Sequence, residues 1–196
     1  MTELDVRATP IEGVLLLAGH HHDDDRGSLT RLYDDAVSES LGWPFTVRAI
    51  NLTRTRLRGT LKGLHAQRAP GSESKLITCL AGEVFDVGVD LRWGSPTYGT
   101  WFATTLRADE PVSVLLPAGV AHAVQSLTDD AVVHYVHSAA YDPALEVGVD
   151  ALDPELAIAW PLPVSTRSAR DAALPALHAI TPLLPTGAPP PTAGHP

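Results

Sequence analysis

The sequence predicts an all-β protein, a barrel or a sandwich, from three observations. Phe85, Val87, Val89 and Leu91 alternate with Asp86, Gly88 and Asp90, the period-two pattern of a half-buried strand. Further runs of strand length recur at 45–53, 57–62, 75–81, 98–106, 112–116, 122–127 and 131–138. Turn-forming clusters separate them: Ala69-Pro70-Gly71-Ser72, Trp93-Gly94-Ser95-Pro96, Ala108-Asp109-Glu110-Pro111, Pro117-Ala118-Gly119 and Thr128-Asp129-Asp130. Many short strands at such spacing close into a sandwich or a barrel.

The flanking segments read differently. Residues 12–18 form a first strand. Arg31 to Leu41 carries Leu32, Ala36 and Val37 at helical spacing, and Gly42-Trp43-Pro44 ends the run. His20-His21-His22 precedes an acidic run and reads as a native loop. After Trp160-Pro161 the pattern thins, and Ser168 to Ala173 fits one helical turn capped by Ser168. Pro182 to Pro196 is rich in proline, glycine, alanine and threonine, the composition of a mobile tail. The expected organisation is one domain over 1–181 and a tail over 182–196.

Composition narrows the function. With 44% hydrophobic and 19% charged residues, the chain can bury a core and is not disordered throughout. A formal charge of -9 argues against nucleic acid as a partner. No apolar run is long enough to cross a bilayer, and the N-terminus lacks the basic start and apolar stretch of a secretory signal. Cys79 is the sole cysteine, which excludes an internal disulfide and suits a reducing cytoplasm; its strand-like setting makes it core filler. Arg48, Arg54, Arg56, Arg58, Lys62, Arg68 and Lys75 are bunched, so one pocket could still hold an anionic small molecule.

His65, Lys75, Asp86, Asp90, His122, His134, Tyr135 and His137 fall on or beside the strands. Inward side chains of a barrel meet others from strands far apart in sequence, so such residues can converge on one cavity. His65 follows Lys62-Gly63-Leu64 and His122 follows Pro117-Ala118-Gly119-Val120-Ala121, settings that suggest a rim or a tight turn. The spacing Pro117-x-Gly119-x-x-His122 matches the second motif of the cupin superfamily. It favours a cupin-type double-stranded β-helix (jelly-roll) barrel with short peripheral helices. Many cupins bind a metal through His-x-His, a glutamate and the later histidine. Here the first motif reads His65-Ala66-Gln67, and Glu73 is not obviously placed to replace the absent ligand. His20–His22 and the His134-x-x-His137 pair lie away from the superfamily's ligand positions, so a metal site is disfavoured.

From about Asp25 to Ala173 the chain resembles the dTDP-4-dehydrorhamnose 3,5-epimerase family of cupins. The resemblance rests on Asp25-Arg26-Gly27, Lys62-Gly63-Leu64-His65-Ala66-Gln67, Ser74-Lys75-Leu76 and the run from Gly82 to Arg92. It continues through Gly94 to Gly99, Leu116 to His122, Tyr141-Asp142-Pro143, Asp153 to Pro161 and Ser168 to Ala173. The resemblance implies inversion at C3, C5 or both of a thymidine-diphosphate 4-keto-6-deoxyhexose, with no metal or other cofactor. By position His65 resembles the base, Asp171 the carboxylate that orients it, Lys75 the enolate stabiliser and Tyr135 the opposing acid. Arg26 resembles the diphosphate contact, joined by Lys62 and Arg170; His122 a pocket-wall donor; and Asn51 and Tyr141 contacts to the nucleobase. The family commonly completes its nucleotide site with residues of a neighbouring subunit, which implies a homodimer.

The chain departs from the family at Lys62, where arginine is usual, at Ala66, at Ala123-Val124, and at Arg31, where glutamate is frequent. These departures suggest a sugar other than the rhamnose precursor, handled by a 3-epimerase. Alternatives are a metal-dependent cupin oxygenase, a non-catalytic cupin that binds nucleotide sugars, and a 3,4-ketoisomerase of the same superfamily.

Overall fold

A computed structural model describes residues 5–19, 21–34, 39, 46–110 and 112–183. The described strands are β1 (Asp5–Ala8), β2 (Leu15–Ala18), β3 (His21–Asp24), β4 (Gly27–Thr30), β5 (Ala49–Thr55), β6 (Leu61–Gln67), β7 (Lys75–Ala81), β8 (Glu83–Asp90), β9 (Trp101–Arg107), β10 (Val112–Leu116), β11 (Val120–Ser126), β12 (Ala131–His137) and β13 (Glu146–Gly148). They form a six-stranded sheet ordered β1-β2-β10-β7-β12-β5, a five-stranded sheet ordered β13-β6-β11-β8-β9, and the separate hairpin β3-β4. Among the described residues, helix comprises α1 (Ala169–Ala172), a 3₁₀ turn at Leu177–Ala179 and the single helical residue Glu39. This is the expected all-β jelly roll with short peripheral helices.

The two large sheets face each other. Ile77, Cys79, Val114, Leu116 and Val133 from one meet Val84, Leu106, Val120 and Val124 from the other in the barrel interior. A second core lies on the outer side of the five-stranded sheet, where Leu61, Leu64, Val87, Val89 and Ala121 pack against Val149, Leu156, Ile158, Leu177 and Leu183. The segment after β13 therefore covers β8, which is not the half-buried strand its alternation predicts. Its polar positions are inside the barrel, with Asp86 2% and Asp90 0% exposed, and its apolar positions lie beneath the returning chain. Buried carboxylates need partners. Asp90 has them in Arg92, Ser95 and Thr97, which hold its pKa at about 2 although burial alone would raise it.

Several boundaries move from their expected places. β7 and β10 match, but the run at 57–62 is a turn through Thr60 that becomes strand at Leu61. His65 is inside β6 and His122 inside β11, not at a rim or turn. The strand expected over 12–18 is β2 and starts at Leu15, preceded by β1, and His21-His22 belong to β3. Residues 31–34 are not helical, Glu39 is, and the rest of the expected helix lies outside the described residues. At the C-terminal end Leu183 is still pinned, exchanging backbone hydrogen bonds with Leu91 and Trp93; the chain beyond it lies outside the described residues.

One irregularity positions the site. The register between β11 and β6 shifts between His122 and Val124, which turns both Lys62 and His65 toward the interior. Gly63, between them, takes φ 106°, a conformation that side-chain-bearing residues avoid. A Cβ there would also stand 2.7 Å from Ala123 Cα and press on the His122 carbonyl. We expect Gly63→Ala to cost more than about 1 kcal/mol of stability; a urea midpoint equal to wild type would contradict this role.

Candidate active site

A cavity of about 500 Å³ opens between the sheets, lined by residues of β5, β6, β7, β11, β12, β13 and α1. His65, Lys75, Tyr135 and Asp171 all line it, as do Asn51, Lys62, His122, Tyr141 and Arg170. Arg26 does not. It occupies the β3–β4 turn with its side chain 90% exposed, and its guanidinium is 2.6 Å from Asp24.

His65 is the best-defined group. Its Nε2 is 2.9 Å from Asp171 Oδ1, while Asp171 Oδ2 accepts from the Gly63 amide at 3.2 Å. Asp171 is 3% exposed on α1, whose Ser168 cap accepts from the Asp171 amide, as the sequence suggested. Because the carboxylate takes Nε2, the other ring nitrogen, Nδ1, is left to act, 3.9 Å from Glu146 Oε1. Burial holds the imidazole below its ordinary pKa, against the upward pull of Asp171 and Glu146, with Arg170 adding a small downward push. It is therefore neutral near pH 7 and able to accept a proton.

Lys75 is not the solvated strand-end charge its position could suggest. Its side chain is 8% exposed, and Nζ donates to the His65 carbonyl at 3.0 Å and lies 3.1 Å from Glu73 Oε1. Tyr135 is buried between two imidazoles, edge-on to His122 with ring centroids 5.7 Å apart and stacked with His137 at 6.0 Å. Burial first, and the Asp86 carboxylate second, push its phenol well above the ordinary value, so it stays protonated and can donate. His122 Nε2 is 2.6 Å from Asp86 Oδ2, a second histidine–carboxylate pair deep in the barrel.

The rim is cationic and mixed. Lys62 Nζ donates to Thr55 Oγ1 at 2.8 Å; burial lowers its pKa, with Asp171 pulling it back up. Arg170 and Tyr141, both largely exposed, each donate to Glu146 Oε2, at 2.9 and 2.8 Å. Of the family departures, Lys62, Ala66 and Val124 contribute to the cavity lining. Ala66 and Ala123 have their side chains in the outer core, and Arg31 pairs with Asp34.

The sequence reading weighed Glu73 only as a metal ligand, missed Glu146 and gave His137 no role in the site. All three line the cavity. Glu73 lies in a loop and Glu146 in a three-residue strand, where no periodicity reveals direction. Parity could have found His137, since it is two positions from Tyr135 on β12. His134 points away from the cavity. The Cys79 thiol is pushed up to about 11, chiefly by burial, and is no nucleophile at neutral pH. Among the described residues no three His, Cys, Asp or Glu side chains are grouped to hold a metal ion, and no helix is long and apolar enough to cross a membrane.

A neutral imidazole, a fixed ammonium and a buried phenol around one sugar-sized cavity equip a jelly-roll barrel to move protons at carbon, which is the work of an isomerase. The model of the dTDP-4-dehydrorhamnose 3,5-epimerase family matches residues 8–179. A dTDP-4-dehydrorhamnose 3-epimerase from Streptomyces niveus is 41% identical, the match covering 85% of this chain and 80% of that protein. The crystal structure of a 4-keto-6-deoxy sugar epimerase from the novobiocin gene cluster of Streptomyces spheroides superposes with a TM-score of 0.86 at 38% identity, covering 90% of this chain and 89% of the other. A double mutant of a 3'-monoepimerase from Streptomyces bikiniensis, solved with dTDP, gives 0.82 at 35% identity and 87% and 86% coverage. The chain belongs to the dTDP-4-dehydrorhamnose 3,5-epimerase family.

The Asp171 contact has a measurable consequence. The His65 imidazole should titrate below 6.5 by NMR, and lower still in Asp171→Asn, because loss of the carboxylate removes an upward pull. A midpoint that rises in the variant would contradict this arrangement.

Proposed function

We propose that the protein inverts C3 of a dTDP-4-keto-6-deoxyhexose by proton removal and return. The observation that carries this reading is the convergence of the His65–Asp171 pair, Lys75 and Tyr135 on one cavity. His65 Nδ1 takes the proton from the carbon beside the carbonyl, and the bonding pair moves onto the 4-keto oxygen. The Lys75 ammonium stabilises that enolate oxygen. Tyr135 then donates its hydroxyl proton to the opposite ring face as the carbonyl reforms, and solvent restores the phenol and the imidazole. The double mutant from Streptomyces bikiniensis carries histidine-to-asparagine and tyrosine-to-phenylalanine changes at positions as far apart as His65 and Tyr135 are here. That spacing supports the pairing of base and acid.

The cationic rim suits the diphosphate, with Lys62 and Arg170 as its contacts on this chain and Asn51 and Tyr141 toward the nucleobase. Arg26 stands on a projecting hairpin away from its own cavity, which supports a homodimer in which it reaches a neighbour's substrate. Exposed Ile50 and Leu52 on the edge strand β5 supply apolar surface for such a contact. A single, buried cysteine fits a cytoplasmic setting.

Incubation with dTDP-4-keto-6-deoxyglucose in heavy water tests the reading. Deuterium at C3 alone is expected. Deuterium at both C3 and C5 would contradict single epimerisation, and none at either carbon would contradict the activity. We expect His65→Ala to slow exchange by about 10²–10⁴-fold, and Tyr135→Phe to suppress inversion more than exchange.

A further inference from the structure

Arginine supplies almost every cation in this sequence, and the only lysines are Lys62 and Lys75. Both line the cavity. They are held differently. Lys62 donates to a hydroxyl, Thr55 Oγ1, whereas Lys75 is ion-paired with Glu73, a carboxylate that the proton-transfer scheme leaves without a task.

Glu73 is buried, and each of its oxygens has a partner inside the cavity. Oε1 lies 3.1 Å from Lys75 Nζ and Oε2 lies 2.9 Å from His137 Nδ1. Burial would raise its pKa, but His137 and Lys75 outweigh that and hold it below the ordinary value, so it is a carboxylate. On the far side of the imidazole, the Asn51 amide is 3.3 Å from His137 Nε2. With that amide donating to Nε2, His137 carries its proton on Nδ1 and gives it to Glu73. The same imidazole stacks on the Tyr135 ring. A continuous chain thus runs from Asn51 through His137 and Glu73 to Lys75, and on to the His65 carbonyl.

We propose that Glu73 is a positioning residue for the reaction: with one oxygen on Lys75 and the other on His137, it fixes the ammonium beside His65 and ties it to the ring stacked on Tyr135. The proposal rests on the epimerase reading for its chemical meaning. Two of the three ammonium hydrogens are committed, to Glu73 and to the His65 carbonyl, which leaves one for the substrate oxygen. The other titratable or charged groups lining the same cavity are Lys62 and His65 from β6, His122 from β11, and Tyr135 and His137 from β12. Tyr141 from the loop before β13, Glu146 from β13, and Arg170 and Asp171 from α1 complete the set. Glu73 is the only one of them ion-paired directly with Lys75 among the described residues. Without that carboxylate, Lys75 Nζ keeps only the His65 carbonyl of these two contacts, and its position is no longer fixed from two sides.

Two lysines make the test direct. In protein labelled with ¹³C at lysine Cε, NMR follows two resonances, assigned with Lys62→Arg. We expect Glu73→Gln to move and broaden the Lys75 resonance as the ammonium loses its fixed position, to leave the Lys62 resonance in place, and to be largely rescued by Glu73→Asp. In the heavy-water assay kcat for exchange should fall by about 10²-fold with KM little changed. An unmoved Lys75 resonance overturns the proposal, as does a moved resonance in an enzyme that keeps its wild-type kcat. If wild-type protein shows no exchange, the epimerase reading fails, and the NMR spectrum still decides whether Glu73 positions Lys75.

Discussion

The site depends on how the carboxylate of Asp171 is divided. One oxygen holds the His65 ring and the other takes the Gly63 amide, so a single side chain from the C-terminal segment fixes both the proposed base and the backbone irregularity that aims it. Asp171 is in turn fixed by the Ser168 cap at its amide and by Arg167 at its carbonyl, with Arg167 also bound to Asp150. The segment that closes the outer core of the barrel and the segment that orients the imidazole are one stretch of chain. Folding of the sandwich and assembly of the site are coupled through it.

Electrostatics then separates the roles. His65 is half-buried and held below its ordinary pKa, Tyr135 is buried and held above its own, so the proposed base and the proposed acid are each in the protonation state their role needs near neutrality. The difference arises from the same cause acting on opposite charge types: burial disfavours imidazolium in one case and phenolate in the other. Lys75 is kept in the same enclosure by an ion pair, at the cost of burying a second charge, and the Glu73–His137 contact satisfies what remains.

Much of this was legible in the sequence. Period-two alternation and turn clusters gave the all-β class, and β7 and β10 fell at their expected bounds because both are flanked by unambiguous turns. β1, β3 and β4 escaped notice because they are short and largely exposed, so no apolar face marks them. β6 was misplaced because exposed Leu57 imitates a strand position while the glycine bulge interrupts the true alternation. His65, Lys75, Tyr135 and Asp171 were legible only through family resemblance, since residues on β6, β7, β12 and α1 meet by tertiary packing alone. Glu73 and Glu146 had no local signal at all.

The proposed base and acid must address opposite faces of one hexose. A crystal structure with a dTDP-6-deoxyhexose that lacks the 4-keto group, and so cannot react, tests it most directly. The sugar is expected to lie between His65 Nδ1 and the Tyr135 hydroxyl, one on each face, with Lys75 Nζ at the C4 substituent. A sugar seated elsewhere on the barrel, or one with both groups on the same face, would contradict it.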